Sequence, residues 1–155
     1  MELSSQQRVA APRDFVFAQA SDFTAFERQA LRRGIEVESR GGPEALGRGW
    51  SASVPVMGRE REIAAEIVGY AAPEDYTVRG ESSGVEILVR VETLPEEELG
   101  HSRLGLSVTL APRSMPGRLV LQSLKLARGS LETRLAGRLE GYAREIEARW
   151  ARRAG

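Results

Sequence analysis

The sequence has no cysteine and only one histidine, His101, in 155 residues. The first absence removes disulfides, thiolate metal sites and a cysteine nucleophile. The second leaves no imidazole cluster for a metal centre, so neither a metal nor a cofactor is expected. No stretch approaches the roughly 18 consecutive apolar residues of a membrane span. The start of the chain also lacks the charged segment and apolar run of a secretory leader. Excess charge is missing too, because 22 Lys and Arg balance 22 Asp and Glu. A nucleic-acid binder normally carries a basic surplus on one face. The expected setting is a cytoplasmic domain, without nucleic acid as partner and without stable membrane insertion.

What is present is the composition of a globular protein, 41% hydrophobic and 28% charged. The length is that of one ordinary domain, expected to span residues 1–155. Charge is balanced overall but not locally. Residues 118–155 hold nine Lys or Arg against four Glu, which leaves 13 against 18 for residues 1–117. A solvated helix face accounts for such a basic segment, and contact with acidic lipid or an acidic partner is the alternative.

Leu3 to Val9 reads as a first strand, and Pro12 suits the first turn of a helix containing Phe15, Val16 and Phe17. Ser21 or Asp22 can cap a second short helix, with Phe23, Phe26, Ala30 and Leu31 at helical spacing, and Gly34 ends it. The middle of the chain changes period. Apolar and polar residues alternate through Ile35–Glu38, Trp50–Val56, Glu62–Ile67, Tyr76–Arg79, Val85–Glu92 and Arg103–Leu110. A period of two with one charged side predicts an antiparallel sheet covered on one face. Turn chemistry separates the runs, including a Met57-Gly58 turn. After Pro112 and Pro116 a long amphipathic helix is predicted over about 116–152. Its stripe runs through Leu121, Leu124, Leu131, Leu135, Leu139, Tyr142, Ile146 and Trp150.

This order of elements resembles the START-like, or SRPBCC, superfamily with its helix-grip fold, also called birch-pollen-allergen-like. The most telling local piece is VAAPRDFVFAQASDF, residues 9–23, which resembles the strand-Pro-helix-Asp start of bacterial members. Val16-Phe17 stand at its apolar-aromatic pair, Asp22 opens its next helix, and GRGW at 47–50 also fits. The resemblance implies an α+β fold. A curved antiparallel sheet of about seven strands would wrap a long C-terminal helix, with two short helices after strand 1. It further implies an apolar cavity between sheet and helix. The nearest groups are bacterial polyketide cyclase/dehydrase-like proteins and relatives of the small START-like component of carbon monoxide dehydrogenase. None of these motifs is a catalytic signature, and fold does not select a function.

Few constellations could carry chemistry. His101 follows the acidic run Glu96-Glu97-Glu98, yet consecutive side chains do not converge on a cation without special backbone geometry. Ser82-Ser83 read as a turn, and GRGW has neither the spacing nor the lysine of a phosphate loop. Glu62, Glu66, Glu86 and Glu92 fall on the polar parity of their strands, which alternation places in solvent. Tyr76 and Trp50 fall on the apolar parity, in the core or at a cavity rim.

Arg128 interrupts the apolar stripe between Leu124 and Leu131. An arginine cannot discharge itself there, so three outcomes stand open. It snorkels to the rim, pairs with a carboxylate, or meets an anionic ligand group in two-pronged fashion. Gly129-Ser130 is a pair at which helices bend, whereas Gly137 and Gly141 lie opposite the stripe. Leu119 and Leu126 point away from Leu121 and Leu124, which marks a lid, a partner surface or a homodimer contact through the long helix.

The preferred expectation is a binder of a hydrophobic small molecule, lipid-like, aromatic or polyketide-like, with no catalytic residues assigned. Trp50, Tyr76, Val89 and Leu106 would line the cavity from the sheet, and Phe17, Leu124, Arg128 and Leu131 from the helices. The alternatives are a cyclase-, dehydratase- or hydrolase-type enzyme using acid–base groups in the cavity, and a module that contacts a protein or a membrane.

Overall fold

The computed structural model describes residues 1–56 and 58–154. The chain begins with β1 (Glu2–Val9), α1 (Arg13–Ala20) and α2 (Phe23–Arg32). Six strands follow: β2 (Val37–Arg40), β3 (Gly49–Val56), β4 (Arg59–Ala71), β5 (Asp75–Ser82), β6 (Val85–Pro95) and β7 (Ser102–Pro112). Two helices, α3 (Met115–Leu126) and α4 (Arg128–Ala154), complete the fold. The strands form one antiparallel sheet in the order β1-β7-β6-β5-β4-β3-β2. Among the described residues seven strands and four helices form the expected α+β helix-grip architecture, with two helices where one long C-terminal helix was expected. Among the described residues no helix is long and apolar enough to cross a membrane. Of the expected Met57-Gly58 turn, Met57 lies outside the described residues.

Local chemistry places the short helices. Asp22 caps α2 by accepting from the Ala25 amide at 3.1 Å, which satisfies one of the free N–H groups of the first turn. Ser114 does the same for α3, accepting from Gly117 N at 3.0 Å, with Pro116 in the first turn. The alternation of the strands then produces three apolar clusters between sheet and helices. Val9, Val16, Leu104, Leu139 and Ile146 join β1, α1, β7 and α4. Phe17, Phe23, Ile67 and Tyr76 form a second cluster. Val85, Leu110 and Leu121 form a third beneath α3.

Three findings depart from simple periodicity. First, the terminal helix is two helices, because the chain breaks at Ala127 (φ −96°, ψ 12°), just ahead of the Gly129-Ser130 pair. The break falls where two anchorages meet. α3 rests on β6 and β7, while α4 runs along β1. Arg144 ties α4 to the Arg8 carbonyl at 2.8 Å, and Glu147 ties it to the Ala10 amide at 2.8 Å.

Second, β4 carries a bulge between Ile67 and Gly69. The extra residue shifts the parity, so Tyr70 stands opposite inward-facing Tyr76 and sets its ring 5.7 Å from Phe17. Third, Glu86 is buried rather than solvated. Arg113 and Arg79 converge on its Oε2, at 2.6 and 3.1 Å. The hydrogen bond from Arg113 is the largest cause that holds its carboxyl below the ordinary range, and Arg79 adds to it.

The start of α3 is docked backbone to backbone on the β5–β6 turn. A Cβ at Gly117 would stand 1.9 Å from the Gly84 carbonyl oxygen, which already accepts from Arg113 N at 2.7 Å. Gly129, by contrast, has open space around it. Two substitutions of the same kind should therefore have opposite signs. Gly117→Ala is expected to lower stability by about 1–3 kcal/mol through overpacking. Gly129→Ala is expected to raise it by up to about 1 kcal/mol through helix propensity. Urea denaturation of both variants checks this, and equal effects would contradict the docking.

Candidate functional site

Helix α2 is short, but four residues on one side of it face the sheet. Phe23, Phe26, Glu27 and Ala30 stand over Val37, Trp50, Ala52, Tyr76 and Val78 of β2, β3 and β5. Cross-strand pairing places Val37 beside Ala52, and the β5 alternation puts Tyr76 and Val78 on the same face. Between helix and sheet remains a hollow of about 300 Å³. That volume is at the small end of the range of about 300–1,000 Å³ typical of ligand pockets. Its walls are aromatic. Phe23 meets Tyr76 edge to face at 5.0 Å and lies 5.7 Å from the ring of Trp50.

Among the described residues, Glu27 is the one charged residue in the lining. Its Oε1 accepts from Trp50 Nε1 at 2.6 Å and from an Arg48 guanidinium nitrogen at 2.7 Å. Arg48 also donates to Thr24 Oγ1 at 3.3 Å and lies 5.8 Å from the centre of the Trp50 ring. Burial pushes the Glu27 carboxyl up. The hydrogen bonds from Trp50, Arg48 and Ser39 and the charge of Arg48 outweigh it and hold the group below its ordinary value. The carboxylate is thus ionised at neutral pH and fixes the indole in the pocket wall.

The Tyr76 hydroxyl is also committed. It donates to the Ala20 carbonyl at 2.6 Å, and burial together with nearby Tyr142 raises its pKa further above the usual phenol range. Tyr142, on α4, donates to the Gln19 carbonyl at 3.0 Å, and burial pushes it up to about 12. Neither phenol is set to exchange a proton near neutral pH.

Of the residues expected to line a cavity, the structure brings Trp50 and Tyr76 together in this hollow. Phe17 lies behind it, its ring 6.2 Å from that of Tyr76. Leu106 packs against the Val9–Ile146 cluster, and Leu124 against the cluster beneath α3. Val89 and Leu131 are half-buried away from the hollow.

Of the three outcomes open to Arg128, the structure shows pairing with a carboxylate at the surface, and the residue is not among those around the hollow. Its guanidinium is exposed, pairs with Glu132 at 2.7 Å and donates to the Glu2 carbonyl at 3.0 Å. Arg128 stands in the first turn of α4, at the end of the stripe of Leu131, Leu135 and Leu139, and from there its long side chain reaches the surface and clips α4 to the start of β1.

Glu27 and Arg48 were not among the expected site residues. Glu27 could have been found, since it follows Phe23 by four positions and so shares the apolar stripe of α2. Arg48 had no such signal, because only the fold carries its loop to α2. Two of the three carboxylates in the acidic run near His101 are spent on ion pairs. Glu96 binds Arg103 at 2.9 Å, and Glu98 binds Arg8 and stands 3.8 Å from His101 Nδ1.

A larger hollow of about 570 Å³ lies at the β2–β5 end of the sheet, among Glu36, Glu38, Glu62 and Glu81. Its four carboxylates repel one another and offer an apolar molecule little to bind. The smaller hollow has the walls of a ligand site.

No protein-family model and no curated protein matches the chain by sequence. Solved structures do match by shape. The Zhui aromatase/cyclase of Streptomyces sp. R1128 aligns at a TM-score of 0.67 with 17% identity, over 96% of this chain and 94% of that one. Truncated norcoclaurine synthase of Thalictrum flavum aligns at 0.66 with 16% identity, over 95% and 91%. A START superfamily protein of Mycobacterium smegmatis aligns at 0.55 with 16% identity, over 86% and 95%. At these identities the likeness is one of fold. The chain has the START-like helix-grip fold.

The Glu27 clasp sets a pH dependence. Its folded pKa lies below the unfolded value, so its contribution is present above the ordinary carboxylate range and is lost as pH falls through the folded value. Glu27→Gln should therefore lose less stability than the wild type between pH 7 and about pH 3. Denaturant titrations at the two pH values measure the difference. Identical losses would show that the clasp does not hold the carboxylate ionised.

Proposed function

We propose that the protein binds a small hydrophobic molecule, aromatic in character, in the hollow between α2 and the β2–β5 end of the sheet. One observation carries this proposal. A volume of about 300 Å³ is walled by Phe23, Phe26, Trp50 and Tyr76, and its one charged residue is already paired. An apolar guest covers those walls at no cost in buried unpaired charge. Ring edges and faces arranged as in the Phe23–Tyr76 pair favour a planar guest. The likeness in shape to an aromatase/cyclase and to norcoclaurine synthase is compatible with a ring-bearing ligand. The site lies under α2 and not beneath the C-terminal helix, because α4 packs closely along β1.

Binding is favoured over acid–base catalysis by the state of the inward titratable groups. Tyr76 donates its proton to a backbone carbonyl, and Glu27 accepts from Trp50 and Arg48. A general acid or base needs a proton to exchange near its working pH. The proposed role is therefore that of a carrier or sensor of an apolar compound in the cytoplasm.

Trp50 makes the site self-reporting. With Trp150, the other tryptophan, replaced in Trp150→Phe, titration with 1-anilinonaphthalene-8-sulfonate or naphthalene should quench or shift the emission of Trp50 saturably. Ala30→Phe would fill the hollow and should weaken that binding about tenfold or more while the chain stays folded. Unchanged binding in Ala30→Phe, or no uptake by the parent chain, would overturn the assignment of this hollow.

A further inference from the structure

Between Arg113 and Leu131 the chain carries four cations and no carboxylate. One of them, Lys125, is the only lysine in the protein. This segment is α3 with its flanks, and α3 is apolar on two opposite sides. Its inner side buries Gly117 and Leu121 and rests Val120 and Leu124 on the sheet. Its outer side presents Met115, Leu119 and Leu126, which are 71%, 67% and 92% exposed. At helical spacing these three fall within about 40° of one another. Arg113 and Arg128 are occupied by Glu86 and Glu132. Arg118 and Lys125 are exposed and share one flank, seven residues apart. Beside that flank is a shallow cleft of about 220 Å³, lined by Pro112, Arg118, Leu121, Gln122 and Lys125.

We propose that α3 is a docking face for an anionic lipid surface. Met115, Leu119 and Leu126 enter the boundary between headgroups and acyl chains, and Arg118 and Lys125 meet lipid phosphates at their level. An apolar row edged by cations is the pattern of a helix that lies in a membrane interface. Long basic side chains suit that edge because their stems stay on apolar surface while their charges reach the headgroups. Shape favours lipid over a protein partner. The three side chains project from a convex helix, and a fluid interface yields around them, whereas a protein would have to supply a matching groove. Charge favours it as well, since residues 118–155 hold nine cations against four carboxylates and Arg134 and Arg138 of α4 are also exposed. The face is separate from the α2 hollow, so either assignment can fail without the other.

Co-sedimentation of the full chain with vesicles tests the proposal. Binding is expected to phosphatidylglycerol-rich vesicles, to weaken with salt, and to be absent with pure phosphatidylcholine. Leu119→Ser with Leu126→Ser, and separately Arg118→Ser with Lys125→Ser, should each weaken binding about tenfold or more. All four positions are exposed, so the circular dichroism and the fluorescent-probe uptake of both variants should match the parent. No vesicle binding, or equal binding to both vesicle types, overturns the proposal. So does a parent that sediments as a dimer and is made monomeric by the leucine pair without any change in vesicle binding. That outcome would assign the face to a second copy of the chain.

Discussion

Two tyrosines that reach the end of one short helix hold the α1–α2 corner of this molecule in place. Tyr76 from β5 and Tyr142 from α4 donate to the carbonyls of Ala20 and Gln19, the last residues of α1. Helix ends leave carbonyls without partners, and two such groups are satisfied here by side chains from opposite walls of the fold. Each bond contributes about 1 kcal/mol net, and leaving its buried partner unpaired would cost more. The geometric effect is larger than the energetic one. With the end of α1 tied to both sheet and terminal helix, Asp22 starts α2 at a fixed place and angle. α2 then stands off the sheet at a distance its own side chains do not fill.

That standoff explains why the hollow exists where it does. Close packing elsewhere is achieved by elements that touch directly, such as α4 along β1 and the Gly117–Gly84 contact under α3. α2 has no comparable glycine contact with the sheet. Its Phe23 and Phe26 meet Trp50 and Tyr76 from a distance set by the α1 corner, and the Glu27–Trp50–Arg48 clasp fixes one wall. Buried polar groups that are fully paired make a surface rigid without making it reactive. This arrangement suits recognition of an apolar guest. The separate division of labour between α3 and α4 follows from the break at Ala127, which lets one segment lie on β6 and β7 and the other on β1.

Much of the architecture was legible in residue order. The alternation in Val85–Glu92 and Arg103–Leu110 needed no tertiary information, because a pleated strand puts successive side chains on opposite faces whatever surrounds it. The cap of α2 was legible to within one residue, as Ser21 or Asp22, because a short side-chain oxygen can accept from a first-turn amide whatever surrounds it; the structure uses Asp22. The exposed outer row of α3 was legible too, since Leu119 and Leu126 fall opposite Leu121 and Leu124 on any helical wheel. Tyr76 and Trp50 were correctly placed on the inner face by parity alone. The destination of Arg128 was not legible, because a long side chain near a helix end can reach the rim, here to Glu132 and the Glu2 carbonyl, and a wheel does not show that reach. Tyr70 escaped notice because the bulge after Ile67 reverses its parity.

The sequence by itself determined which residues can share a face, and hence the sheet, the helices and the helix-grip order. Those properties depend on spacings of two, three and four residues, which local stereochemistry sets. Only the tertiary structure decided where phases are reset and which apolar face is filled and which left hollow. A break, a bulge and an unfilled volume result from anchorages between residues far apart in the chain, such as Tyr142 to Gln19 and Arg128 to Glu2. Their position depends on distances between elements, and no local spacing encodes those distances.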